Sequence, residues 1–160
     1  DYTTLYDSLK TRTFQVNSEA VVADYQPLGK RATIKASIQS GWLFSQDSLY
    51  QNEVYRIGGN RVLRGFDEES ILSSLYGVLT IEPRLLLNQN SYLFAFLDYG
   101  YLENKTIGNQ VEDFPLGFGL GLSLGTPAGI VRVSYAIGKQ LGQPIDFRAA
   151  KIHFGYVNYF

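Results

Sequence analysis

Leu116-Gly117-Phe118-Gly119-Leu120-Gly121-Leu122-Ser123-Leu124-Gly125 is the stretch that decides the fold. Every even position is large and apolar, and every odd position is Gly or Ser. A period of two puts these sets on opposite faces of one β-strand. Glycine inside a strand packs nothing and costs backbone entropy, so a run of it marks the close approach of another group. One face is made for an apolar surround, and the other for something pressed against it.

The same alternation extends outward in both directions. Downstream, Thr126-Pro127-Ala128-Gly129 is a tight turn, and Ile130–Gly138 sets Val131, Val133, Tyr135 and Ile137 opposite Arg132, Ser134 and Ala136. After a polar loop, Ala149–Phe160 sets Ile152, Phe154, Tyr156 and Phe160 opposite Lys151, His153 and Gly155. Upstream, strands are expected over Thr13–Tyr25, Arg31–Phe44, Ser73–Leu87 and Ser91–Leu102, with a further edge strand at Tyr2–Tyr6. In Ser91–Leu102 the alternation blurs, because Phe94 and Phe96 share a face with Asp98.

This makes an all-β chain of about eight strands of roughly 9–15 residues, longer than the ~5–6 typical of soluble sheets. Connections at 26–30, 88–90 and 126–129 are short, while those at 45–72, 103–114 and 139–148 are long. Short turns at one end and long loops at the other point to an antiparallel transmembrane β-barrel, lipid outside and a polar lumen within. Lys35, Glu82, Arg84, Asp98, Arg132 and Lys151 all fall on the lumen face of that reading. The competing architecture is a soluble lipocalin-like binding barrel with the parity reversed. It needs charges spread along its outer faces, whereas the polar faces here are largely Gly, Ser and Thr.

The totals narrow the function classes. The chain has 160 residues, enough for one domain, with 22 Tyr and Phe residues and no Cys or Met. Thiol chemistry and Cys-based metal sites are excluded. A start at Asp1 without Met is expected of a chain whose leader has been removed or that was trimmed. A net charge of −1 without acidic or basic runs argues against nucleic acid as a partner. The single His, His153, has no ligand partners near it in sequence, and no nucleophile elbow or phosphate loop is present. No catalytic residue, metal or cofactor is expected, and the chain is not expected to be an enzyme.

The long connection at 45–72 carries Arg56-Ile57-Gly58-Gly59-Asn60-Arg61-Val62-Leu63-Arg64-Gly65-Phe66. So many arginines and glycines do not make a helix, and Gly65 lets backbone come close around Arg64. The stretch is either a solvated surface loop or one that folds inward and plants Arg64 in a cavity. A guanidinium inside a barrel needs carboxylates, and Glu82 and Asp98 lie on lumen-facing positions of the next two strands.

Four features together resemble the C-terminal barrel half of the outer-membrane insertase and two-partner-secretion superfamily, of the BamA and surface-antigen type. They are Leu63-Arg64-Gly65-Phe66, Gly77…Glu82-Pro83-Arg84, Phe96-Leu97-Asp98-Tyr99-Gly100 and the terminal His153–Phe160. The last resembles the outer-membrane β-signal through His153, Gly155 and Phe160, with Asn158 where an aromatic is usual. The match runs over roughly residues 30–160, without POTRA repeats or the family's usual sixteen or so strands. The resemblance implies that the motif loop folds into the lumen, that Arg64 meets Glu82 and Asp98, and that the chain sits in a bacterial or organelle outer membrane.

The expected organisation is a single outer-membrane barrel domain over 1–160 with its motif loop at 45–72. The expected function is a minimal barrel for protein insertion, translocation or membrane remodelling, inserted by the barrel-assembly machinery. The alternative is a structural or anchoring subunit of an outer-membrane complex. A closed barrel of about eight strands has room only for its own side chains. A 28-residue loop does not fit inside it. The loop therefore stays outside, or the chain is part of a larger barrel, or two chains pair edge to edge as a homodimer that closes a larger barrel, which is the expected arrangement.

Overall fold

The computed structural model describes residues 14–158, so the expected edge strand at Tyr2–Tyr6 and the terminal Phe160 lie outside the described residues. Each alternating segment pairs antiparallel with its neighbours. β1 (Gln15–Pro27) and β2 (Ala32–Ser45) form a long hairpin. The stretch expected to be one irregular connection contains a small hairpin, β3 (Tyr55–Ile57) and β4 (Ile71–Ser73). These are only three residues each, too short for a period of two to register in sequence. The chain then returns to the main sheet with β5 (Leu75–Leu86), which pairs with β2.

β6 (Tyr92–Thr106) follows a tight turn and runs past the expected end at Leu102. Residues 103–114, expected to be a polar loop, instead continue β6 and fold back as β7 (Asn109–Asp113). Glu103, Asn104 and Lys105 are strand residues here, and their polarity hid the strand, because they lie beyond the apolar band. β8 (Leu116–Thr126), β9 (Gly129–Lys139) and β10 (Lys151–Asn158) complete the sheet, with a single 3-10 turn at Phe147–Ala149. The ladder between β5 and β6 lacks pairs at Glu82 and Pro83, where Pro83 has no N–H to give.

The main sheet has eight strands, in the order β1-β2-β5-β6-β8-β9-β10 with β7 on β6. It is an all-β antiparallel sheet. Among the described residues β1 and β10 do not pair, so the wall stays open along one seam. Every step across the sheet is antiparallel, and six such steps separate β1 from β10. The two edge strands therefore run in the same direction.

One face of the sheet is an exposed apolar surface. Ile38, Trp42, Leu79, Ile81, Leu97, Leu120, Val133, Tyr135 and Phe154 are all exposed on it, Leu120 to 67%. In water so large a patch is untenable, whereas lipid satisfies it. The other face is covered over β5, β6, β8 and β9 by residues 46–72. Ile57, Leu63 and Phe66 of the loop pack on Tyr76, Val78 and Leu102 of β5 and β6, with Leu63 fully buried. Of the three alternatives, a loop that stays outside is therefore not adopted. Among the described residues the wall is open, so they do not form the small lumen of a closed eight-stranded barrel.

Candidate functional site

The loop is seated on the sheet by backbone contact. Gly65 has φ +93, and a Cβ there would strike the backbone of Ile137 and Gly138. Conversely, a Cβ on Gly138 would strike the carbonyl of Gly65 and the Phe66 ring, and one on Gly117 would strike the Arg64 carbonyl oxygen. Three positions on β8, β9 and the loop must be glycine for the chain to pass so close. The remaining glycines of β8 serve other neighbours. A Cβ at Gly119 would strike the Tyr135 carbonyl oxygen and the Phe96 ring, one at Gly121 the Phe94 ring, and one at Gly125 Asn90. Of the glycine face of β8, only Gly117 makes room for the loop.

Those rings carry arginines. Tyr92, Phe94 and Phe96 form a ladder along β6, with successive centroids 5.8 and 6.2 Å apart. The Arg64 guanidinium lies 3.6 Å from the Phe96 centroid, that of Arg132 4.3 Å from Phe94, and that of Arg84 4.5 Å from Tyr92. Each cation meets the electron-rich face of a ring in a place with little water. The aromatics that blurred the alternation of β6 are the floor of the site.

All three arginines converge on Glu82, which is fully buried. Arg64 Nη1 donates to its Oε2 at 2.6 Å, Arg84 Nη2 lies 2.8 Å from Oε1, and Arg132 Nη2 reaches both oxygens at 2.7 and 2.8 Å. Asp98, also fully buried, takes Arg64 as a fork, from Nε at 2.8 Å and Nη2 at 2.7 Å. The backbone N–H of Arg64 (3.1 Å) and the Thr80 hydroxyl (2.8 Å) fill the remaining positions of Asp98. Burial pulls the Arg64 guanidinium toward losing its proton. Hydrogen bonds and charge from Asp98 and Glu82 outweigh that, and its pKa lies above the ordinary arginine value. Ions in such a place gain little net stability, because desolvation offsets attraction. What they fix is position, since Arg64 fits only where both acids are.

The last strand is joined to the same loop. The Gly65 N–H donates to His153 Nε2 at 3.0 Å, so the ring carries its proton on Nδ1, which lies 3.8 Å from Glu68. Lys151 Nζ pairs with Asp67 at 2.8 Å, and Gly155 leaves space for the Asn60 side chain. The structure thus brings Leu63, Arg64, Gly65, Phe66, Glu82, Asp98, His153 and Gly155 into one region. Reading the sequence missed Arg84 and Arg132 as partners of Glu82, although their shared lumen parity was the available signal. Among the described residues no group of three or more His, Cys, Asp or Glu side chains is set out to hold a metal.

The sequence matches the family model described as an Omp85 superfamily domain over residues 5–158. Among curated proteins, no sequence matches the chain.

Proposed function

The chain belongs to the Omp85 superfamily, a family of BamA-like outer-membrane proteins, and we propose that it is a minimal barrel unit acting in protein insertion or translocation, or in membrane remodelling. In this reading residues 1–160 are one barrel domain, and its surroundings are outer-membrane lipid. Its partners are a second copy or other outer-membrane proteins. The work is mechanical rather than enzymatic. The barrel-assembly machinery would read His153, Gly155 and Phe160 as the insertion signal.

The observation that carries the reading is the seat of Arg64. A 6%-exposed arginine is held by two buried acids from two strands and is tied through Gly65 to the final strand. Such a device keeps a long loop on the inner face and couples it to the edge of the sheet, where a barrel opens or pairs. Open edges are not tolerated in lipid, because each unpaired backbone group costs several kcal/mol. A second copy would cover both seams, the first strand of one chain against β10 of the other. Since β1 and β10 run the same way, an all-antiparallel seam requires an even number of wall strands in each copy.

The test is a strain lacking the gene, complemented with the wild type or with Arg64→Ala. Outer-membrane barrel proteins should fall in abundance without the gene and recover only with the wild type. Unchanged levels in all three would replace this reading with an anchoring barrel.

A further inference from the structure

We propose that the cavity beside the motif loop binds a small dissolved oxyanion of the phosphate or sulfate type, held by Lys35, Arg61 and Arg132. The first ground is charge. Arg64, Arg84, Arg132 and Lys35 surround Glu82 and Asp98, an excess of two positive charges in a partly dry place. Glu82 already serves three arginines, and Asp98 is filled by Arg64 and Thr80. Neither has capacity for a further cation.

The second ground is space. A cavity of about 120 Å³ lies among Lys35, Arg61, Arg64, Glu82 and Arg132, with Glu82 its only acidic residue among those described. The third is unmet donors. Lys35 stands opposite Glu82 in the β2–β5 register, yet neither it nor Arg61 makes an ion pair among the described residues. Basic side chains that line one cavity from β2, the motif loop and β9 suit a multivalent oxyanion. Basic side chains lining a pore select anions by the same physics. The ligand is a dissolved ion rather than a lipid headgroup, because Lys35 and Arg132 have the parity opposite to the lipid-facing side chains.

The proposal stands or falls independently of any role in protein insertion. The experiment is equilibrium dialysis of labelled inorganic phosphate against the detergent-folded protein at low ionic strength. One saturable site per chain is expected. Lys35→Gln and Arg61→Gln should each weaken it about tenfold or more, and Lys151→Gln, outside the cavity, should leave it unchanged. In the wild type, sulfate should displace phosphate while chloride of equal ionic strength should not. Non-saturable binding, displacement by chloride alone, or equal losses in all three variants would overturn it. Displacement by phosphatidylglycerol nanodiscs but not by sulfate would assign the basic residues to a lipid headgroup, and displacement by an acidic peptide alone to a protein; either overturns it as well.

Discussion

Among the described residues β1 and β10 are the two edges of one sheet, and both alternate along their length. β10 is fastened from inside. His153 accepts from Gly65, and Lys151 reaches Asp67, so the motif loop spans from the middle of the sheet to this edge. β1 has no such tie. All of its thirteen residues are exposed, on both faces. The loop touches it through one long hydrogen bond, from the Tyr55 hydroxyl to the Ser18 carbonyl at 3.1 Å. Similar patterning thus yields two strands in different mechanical states. The periodicity of a strand says which face it shows, while contacts distant in sequence say whether an edge is held or free to take a partner.

The largest expected effect erases the difference between the edges. Arg64→Ala removes the hub and leaves Asp98 buried without its charge partner. Breaking a buried pair in this way costs about 3–5 kcal/mol. The loop should detach, and residues 50–69 should be cleaved by protease much faster, as should β10. A double-mutant cycle with Asp98→Asn should show coupling on the order of 0.5–3 kcal/mol, and strict additivity would contradict the contact.

Next comes the lipid-facing side that both edges share. Leu120→Arg, at 67% exposure on the apolar face, should impair folding into liposomes by about 2–4 kcal/mol if it sits near the bilayer midplane. Unchanged insertion would mean that this face does not meet lipid. A smaller change loosens one edge alone. His153→Ala strands the Gly65 N–H, a loss of about 1–3 kcal/mol. Amide exchange in β10 should quicken while β1 stays as it was; equal changes in both would mean the tie is not local. The smallest effect is that of Lys151→Gln. Its pair with Asp67 is solvent-exposed, at 38% and 70% for the two side chains, so urea unfolding should shift by only about 0–1 kcal/mol.

The comparison also marks how far the sequence was legible. The strands, their facing and the glycine run of β8 were readable, because a period of two survives in one dimension. The meeting of Arg64 with Glu82 and Asp98 was implied by the family resemblance, and the lumen-facing parity of the two acids agreed with it. The β3–β4 hairpin was hidden by its shortness, and the extension of β6 by its polarity. Phe94 and Phe96 looked like errors in the pattern, since aromatics on a lumen face make sense only once arginines lie over them. The three-way sharing of Glu82 was missed, because shared parity names Arg84 and Arg132 as neighbours but not how many cations one carboxylate collects.

We propose that the first wall strand of one copy is completed by β10 of a second copy, each copy contributing an even number of wall strands. Native mass spectrometry of the full chain released from mild detergent tests it most directly. A dominant species near twice 18.0 kDa, persisting on dilution, is the expected result. A stable single-chain species would contradict it, because the open seam would then be satisfied without a partner.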